Sequence, residues 1–179
     1  MPYSDLRAFL ADSNNDQLHV SAEIDPKFEI AALLRETQSS GKLVLCDRVA
    51  GYPGVRVMGN LFSSRERVAR ALGTTESELN ATYLQAKSRS LPPVQIDGDA
   101  PVKEVIHRNP ENVPGLLPIL THYEKDAAPY ITSGVVFAKD PATGRRAMGI
   151  HRMMVHGGNR LGIFLANPPL SLFLAAAED

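Results

Sequence analysis

Short blocks with helical and strand-like spacing of apolar residues follow one another along the first half of the chain. Leu6, Phe9 and Leu10 follow Ser4 at the spacing of one helix face, which predicts a short helix with Ser4 as its N-cap. Residues 17–23 alternate apolar and polar side chains, as half-buried strands do. The same reasoning predicts a helix from Asp25-Pro26, then strands over 42–46 and 55–58 on either side of a turn at 51–54. Two further helices are predicted, one over 64–72 that ends at Gly73, and one that runs from a Thr75/Glu78 capping box to about Lys87.

The second half begins with proline-rich connections and continues into strands. Residues 88–101 are predicted to be a connection and residues 102–107 a short strand. Residues 109–129 are predicted to be an ordered loop, because Leu116, Leu117, Ile119 and Leu120 require burial. Three further strands are predicted over 131–138, 147–155 and 161–166, and the glycine-containing loops between them predict a sequential antiparallel sheet. Asn167-Pro168-Pro169 ends this sheet, and an apolar helix is predicted over 170–177.

These elements predict an α+β fold made of three segments. Residues 1–101 are expected to form an N-terminal α/β domain, residues 102–130 a crossover segment, and residues 131–179 the first strands of a β-barrel. Three strands and one helix neither close a barrel nor cover both faces of a sheet, so we expect the last segment to be an incomplete domain.

Charge and cysteine content exclude several classes of function. The chain has 19 basic and 20 acidic residues and a net charge of −1, which gives no electrostatic reason to expect a nucleic acid or an anionic membrane as partner. Cys46 is the single cysteine, which excludes an internal disulfide and a cysteine-rich zinc site and favours the reducing cytoplasm. We expect no signal peptide and no membrane span, because no apolar run reaches the length that either requires.

The common catalytic motifs are missing from the sequence. The glycines of 51–54 and 59–62 lack the spacing of a P-loop or a dinucleotide-binding loop and are interpreted as turns. His122, His151 and His156 lack metal-ligand spacing, and His156 is expected to face solvent. No Gly-x-Ser-x-Gly occurs, and Cys46 is predicted to be an inert buried thiol.

The strand over residues 147–155 is the most unusual segment. Met148, Ile150, Arg152 and Met154 share one face, so an arginine stands in an apolar row. A buried or semi-buried arginine requires an anionic partner. That partner is either a structural carboxylate or a bound phosphate or substrate carboxylate, and the sequence leaves both possibilities open.

Several blocks of the sequence, in unbroken order, resemble the UbiD-type decarboxylases, which use prenylated flavin mononucleotide. Each block is short, but the ordered set covers nearly the whole chain. The blocks are Asp5-Leu-Arg-x-Phe-Leu10, Glu23-Ile-Asp-Pro26, Gly51-Tyr-Pro-Gly54, Gly59-Asn-Leu-Phe62, Arg65-Glu-Arg-Val68, Pro129-Tyr-Ile-Thr132, Asp140-Pro141, Gly149-Ile-His-Arg-Met153 and Asn159-Arg-Leu-Gly162.

The resemblance implies an α/β domain followed by a split, flavin-reductase-like β-barrel that binds the flavin. It implies that Ile150, His151 and Arg152 lie at the cofactor and that Arg152 is the catalytic arginine, acting with two glutamates. It also implies that the next strand brings residues 164–166 near the flavin, namely Phe164, Leu165 and Ala166.

Two positions depart from the family's pattern. Where the family has an asparagine ligand for the divalent metal, this chain has Ala147, whose methyl group cannot coordinate Mn²⁺. Where the family commonly has a histidine or arginine, the chain has Leu170 after two prolines. The remaining metal ligand and the glutamates belong to sequence that follows this chain, so we predict no metal ligand here and no tight binding of Mn²⁺ or flavin by the chain alone.

Two functional hypotheses follow. The first is a UbiD-like carboxy-lyase chain, part of a split or truncated enzyme, which decarboxylates an aromatic or α,β-unsaturated acid with prenylated FMN. Such a chain is expected to form a homo- or hetero-oligomer in which a partner supplies the missing glutamates. The second hypothesis is a non-catalytic assembly or regulatory subunit of such a complex, whose open sheet another subunit completes.

Overall fold

The computed structural model describes residues 2–13, 16–89, 91–96 and 98–178. The chain is a mixture of helices and strands with two three-stranded sheets, which confirms the predicted combination of α and β elements. It divides into two compact units, the first made of Met1–Glu23, Leu33–Arg48 and Arg56–Asn109, and the second of Ile24–Ala32, Val49–Val55 and Pro110–Asp179.

The first sheet has the strand order β1-β2-β3, with β1 at Gln17–Ile24, β2 at Leu43–Val49 and β3 at Val57–Gly59. The central strand β2 begins with four buried apolar residues in a row, as strands covered on both faces do. Strand β3 pairs with β2 in antiparallel register, and Gly59 lies opposite Val44. A Cβ at Gly59 would lie 2.3 Å from Leu34 Cδ2, so a glycine permits this close packing.

Helices α1 (Leu6–Asp12) and α2 (Glu29–Thr37) begin later than predicted. The N-cap of α1 is Asp5 rather than Ser4, because the Asp5 carboxylate accepts a hydrogen bond from Ala8 N–H at 2.8 Å. Helix α2 does not start at Asp25-Pro26. The Asp25 carboxylate instead caps a turn by accepting from Lys27 N–H, and Phe28 has a φ of 74°, which no helix accommodates.

Helix α3 (Arg65–Leu72) confirms both predicted ends. The Ser64 hydroxyl accepts a hydrogen bond from Arg67 N–H, and Gly73 closes the helix in the left-handed conformation. Helix α4 (Leu79–Ser88) ends as predicted, but the capping box at its start is wrong. A turn separates Thr75 from the helix, and the Thr75 hydroxyl donates to the Glu78 carboxylate instead of capping the backbone.

The second sheet has the order β4-β5-β6, with strands at Tyr130–Lys139, Arg146–Val155 and Leu161–Ile163. All neighbours are antiparallel, which confirms the predicted sequential sheet. The third strand ends at Ile163, so its predicted extension to Ala166 is wrong. Residues 164–166 lack strand pairing, and the chain then turns into α5 (Leu170–Glu178), which begins where predicted.

The connection between the two halves contains further corrections. Residues 102–107 are not a strand: a short 3₁₀ helix occupies Pro101–Lys103, and the residues that follow have no pairing. In the predicted loop, a 3₁₀ helix spans Val113–Gly115, and Thr121 forms a parallel bridge with Lys27. Leu117 is exposed, contrary to the expected burial, while the other three large aliphatic residues of the loop are half-buried. In the described part of the chain, no helix is long and apolar enough to cross a membrane.

Candidate functional site

The two faces of the second sheet have different surroundings. The face of β5 that contains Gly149 packs toward α5, since a Cβ at Gly149 would lie 3.0 Å from Leu170 Cδ1. The opposite face carries four apolar side chains that pair across β4 and β5 and are 52–75% exposed: Val135 with Ile150 and Phe137 with Met148. We call these four residues the apolar row. An exposed cluster of large apolar side chains is typical of a binding surface.

Arg152 continues the apolar row at the next outward position of β5. The sequence predicted a buried or semi-buried guanidinium, but the Arg152 side chain is exposed in the structure. Among the described residues, no carboxylate lies within ion-pair distance of it. The structural-carboxylate alternative is therefore not realised in the described residues, and the guanidinium is open to an external anion.

Arg152 lines a cavity of about 800 Å³, within the size range of small-molecule sites. Strands β4 and β5 supply one side of this cavity and the turn at residues 122–127 supplies the other. Its lining consists of His122, Tyr123, Lys125, Asp126, Ala127, Tyr130, Thr132 and Arg152.

Hydrogen bonds hold both sides of the cavity in place. The Asp126 Oδ2 atom accepts from the backbone N–H groups of His122 and Tyr123 at 3.2 and 3.0 Å, which closes the turn. On the sheet side, the Tyr130 hydroxyl donates to Met154 Sδ at 2.9 Å. The Tyr130 N–H also donates to the Leu120 carbonyl, which ties the segment before the turn to the start of β4.

The predicted cofactor residues do not all come together. Ile150 and Arg152 lie on the same open face, whereas His151 lies on the other face, with its ring against Gly149. The three residues after β6 do not line the Arg152 cavity: Phe164 is 83% exposed, Leu165 half-buried and Ala166 exposed. Their contact with a flavin stays a prediction.

Sequence reasoning did not assign a role to most of the cavity lining. His122 was weighed only as a metal ligand, and Lys125 and Asp126 were not singled out. A usable signal existed for Tyr130 and Thr132, which fall in one of the blocks that carried the family resemblance.

The two positions that depart from the family's pattern have ordinary packing roles. Ala147 pairs with Ala138 across the sheet, and Leu170 is 2% exposed in the contact between α5 and β5. In the described ranges, no three His, Cys, Asp or Glu side chains group closely enough to hold a metal ion.

Cys46 and His156 lie where the sequence predicted. Cys46 is 1% exposed in β2, and burial, together with the neighbouring Asp47 charge, raises the pKa of its thiol. His156 is exposed. Neither residue lines the Arg152 cavity.

Comparison with known sequences identifies the class of protein. Residues 10–87 match the 3-octaprenyl-4-hydroxybenzoate carboxy-lyase N-terminal domain, and residues 94–178 match the Rift-related domain of the same enzyme. The two matches span most of the chain in the order found in the family. The chain belongs to the UbiD-type decarboxylase family and corresponds to the N-terminal part of its members.

Individual relatives agree with this assignment. The chain is 33% identical to anhydromevalonate phosphate decarboxylase of Methanothermobacter thermautotrophicus, over 97% of this chain and 39% of that protein. It is 27% identical to gallate decarboxylase of Lactiplantibacillus plantarum, over 90% of this chain and 36% of that protein. The chain thus spans about two fifths of the length of these relatives.

Solved structures have the same fold. An evolved dimeric form of the UbiD-class enzyme HmfF from Pelotomaculum thermopropionicum, in complex with prFMN, superposes with a TM-score of 0.90 at 37% identity. The match covers 98% of this chain and 41% of that one. The closed form of Sedimentibacter hydroxybenzoicus vanillic acid decarboxylase (ShVdcCD) gives a TM-score of 0.86 at 26% identity, over 99% of this chain and 40% of that one.

Proposed function

We propose that this chain supplies the carboxylate-binding part of a UbiD-type carboxy-lyase, which releases CO2 from an aromatic or α,β-unsaturated carboxylic acid. The observation that carries the proposal is the position of Arg152. Its guanidinium is exposed, has no carboxylate within ion-pair distance among the described residues, and lines a cavity next to an apolar row. The similarity to several decarboxylases over nearly the whole chain supports the same assignment.

The reaction turns R–COO⁻ and a proton into R–H and CO2, so the electron pair of the broken C–C bond stays on the carbon until a proton arrives. Arg152 binds the carboxylate through parallel N–H donors and orients the bond that breaks. The flat unsaturated body of the acid excludes water from that carboxylate, which strengthens the attraction between the two charges.

Prenylated FMN, when bound, supplies the sink for that electron pair. A flat ring system fits the apolar row, and we propose that Ile150 and Arg152 contact it, with His151 and the residues after β6 (Phe164, Leu165 and Ala166) as further contacts. Mn²⁺ does not fit the described residues, because the Ala147 methyl and the buried Leu170 side chain offer no ligand atom. We assign no step to a metal ion.

The family resemblance implies that glutamates exchange the proton, and the described lining of the cavity contains no glutamate. Asp126 is the one carboxylate in the described lining, and its Oδ2 atom already accepts two backbone hydrogen bonds. We therefore propose that glutamates from a partner chain of a homo- or hetero-oligomer, or from a further part of a longer protein, complete the site. We also propose a cytoplasmic location for this assembly, since the single buried cysteine suits a reducing compartment.

A second candidate function is that of a non-catalytic assembly or regulatory subunit. The exposed apolar row favours it, because a second subunit could bury these four side chains without any chemistry at Arg152. The two candidates differ in what they require of Arg152. A purely structural subunit tolerates its replacement, whereas the carboxy-lyase does not.

The test purifies the native assembly with its co-purifying chains, adds prenylated FMN and measures CO2 release from a panel of aromatic and unsaturated acids. Arg152→Ala should abolish CO2 release at unchanged assembly. Arg160→Ala, at an exposed arginine outside the cavity, is the matched control and should retain it. An active assembly in which Arg152→Ala has no effect contradicts the proposed role. A stable assembly that lacks activity with every acid favours the structural subunit.

A further inference from the structure

Strand β4 contains a β-bulge opposite Arg152. The paired residues on β4 jump from Ile131 to Gly134, while β5 advances across Arg152 alone. Thr132 and Ser133 therefore together oppose this one residue of β5. The burial pattern agrees, since Thr132 and Ser133 are both exposed, whereas the strand after the bulge alternates between half-buried and exposed side chains. Bulges redirect side chains and are frequent next to active sites.

The bulge changes which residues of β4 share the face of Arg152. Before the bulge, Tyr130 pairs with Met154, and after it, Val135 pairs with Ile150. Because directly paired residues project to the same face of a sheet, Tyr130 and Val135 face the same side, although regular alternation would place them on opposite sides. The extra residue thereby puts the cavity lining and the apolar row on one face of the sheet.

Thr132 is the residue of the bulge that faces the cavity. It lines the cavity together with Arg152, whereas Ser133 does not. The Thr132 hydroxyl forms no hydrogen bond with another described residue. Of the two tyrosines in the lining, Tyr130 already donates to Met154 Sδ at 2.9 Å, and the other lies on the turn at the far side of the cavity. The Thr132 hydroxyl is thus a free donor on the same sheet as the guanidinium.

One carboxylate can use both Thr132 and Arg152. A carboxylate has about four lone-pair positions on its two oxygens, and a bidentate guanidinium occupies two of them. A hydroxyl beside the arginine can donate to a third. The charged groups of the described lining, Arg152 and Lys125 against Asp126, leave one net positive charge, which a single carboxylate neutralises.

We propose that Thr132 is a further substrate-binding residue, whose hydroxyl donates a hydrogen bond to the carboxylate that Arg152 binds. This inference rests on the proposed function, because it adds a residue to the same site. As the C–C bond breaks, the negative charge leaves the carboxylate oxygens and stays as an electron pair on the carbon. The Thr132 hydrogen bond is therefore stronger in the bound acid than in the transition state, and it contributes to binding rather than to the rate of cleavage.

The experiment measures equilibrium binding to the native assembly by calorimetry, with benzoate and crotonate as probes and benzyl alcohol as the uncharged reference. Thr132→Val keeps the branched shape of the side chain and removes its hydroxyl. It should weaken binding of both acids about three- to tenfold, the size expected of one hydrogen bond, and leave binding of benzyl alcohol unchanged. Thr132→Ser, which retains a hydroxyl, should restore most of the affinity.

Ser133→Ala is the matched control, because it removes the neighbouring hydroxyl of the same bulge, which lies outside the cavity lining. It should leave the affinity for both acids unchanged. With an acid that the assembly decarboxylates, Thr132→Val should raise KM by the same factor as it weakens binding, without lowering kcat. Loss of the bulge itself would lower kcat as well, so the two kinetic constants separate a binding role from a structural one.

The proposal is overturned if neither acid binds to the unsubstituted assembly, or if Thr132→Val binds both acids as tightly as the unsubstituted assembly does. An equal loss of affinity in Ser133→Ala also overturns it, as does a fall in kcat at unchanged KM in Thr132→Val.

A second arm separates the acid from the cofactor. If Thr132→Val lowers the amount of prenylated FMN that the assembly retains, measured by flavin absorbance, and leaves the affinity for the acids unchanged, Thr132 contacts the flavin and the proposal is wrong. Failure of the proposed function has a different signature. An assembly that releases no CO2 yet binds the acids with an affinity that depends on Thr132 retains the binding site and lacks the reaction.

Discussion

Arg67 is the residue whose replacement tests the packing of the first unit most directly. Its side chain is 3% exposed, although it carries a full positive charge. One guanidinium nitrogen donates to the carbonyls of Asn60 and Leu61 at 3.2 and 3.1 Å, and the other donates to the Gly41 carbonyl at 2.6 Å. The guanidinium thereby joins the loop before β2 to the loop after β3.

The magnitude follows from these three hydrogen bonds. A hydrogen bond to a charged group contributes about 1.5–3 kcal/mol, and a buried acceptor that loses its donor costs free energy of similar size. Removal of the costly buried charge offsets part of this loss. The offset is substantial because Nε of Arg67 is buried and has no hydrogen-bond partner among the described residues. We expect Arg67→Met to lower the free energy of unfolding by about 3 kcal/mol, a large share of the usual 5–15 kcal/mol.

Urea unfolding followed by circular dichroism measures this loss through the midpoint and the slope. Arg65→Met is the matched control, since Arg65 lies on the same helix, is exposed and forms a 3.6 Å ion pair with Glu76. It should cost less than about 1 kcal/mol. Arg67→Lys should fall between the two, because one ammonium cannot reach three carbonyls at once. A loss below about 1 kcal/mol for Arg67→Met would refute the role assigned to the three hydrogen bonds.

Two further predictions concern the same unit. Gly59→Ala should lower the free energy of unfolding by about 1–3 kcal/mol, because its Cβ would overlap the Leu34 side chain, and Leu34→Ala in the same chain should recover part of the loss in a double-mutant cycle. Cys46 should react with a thiol reagent only after unfolding. The pKa of the Cys46 thiol is raised in the folded state, so ionisation of the thiol favours the unfolded state. The thiol's contribution to stability is therefore complete below its unfolded pKa and is lost as the pH rises through its folded pKa. Equal labelling rates of Cys46 in native and unfolded protein would contradict the prediction that the folded protein protects this thiol.

Elements whose ends depend on local chemistry were predictable from the sequence. Ser64 and Gly73 bound α3 because a hydroxyl cap and a left-handed glycine act within one helical turn. The antiparallel order of β4, β5 and β6 follows from short loops between adjacent strands, such as the turn in which Gly144 N–H donates to the Asp140 carbonyl. The family resemblance was also predictable from the sequence, because the order of its matching blocks is a property of the sequence itself.

The errors arose where one residue type can satisfy two local roles. Asp5 and Ser4 are both good helix caps, and only the backbone path shows that the Asp5 carboxylate reaches Ala8 N–H. The apolar residues within 102–107 favoured a strand, but a strand also requires a neighbour for its backbone groups, and no described part of the chain pairs with these residues.

The candidate site depended on tertiary structure for a different reason. Period-two alternation placed Arg152 and Ile150 on one face of β5, but alternation does not state whether that face is covered. The structure decides that α5 covers the other face and that Arg152 is open. Likewise, Lys125 and Arg152 are far apart in sequence and come to one cavity because Asp126 closes the turn and Tyr130 ties it to β4. Long-range contacts of this kind depend on how the backbone folds back on itself, which no local pattern of side chains encodes.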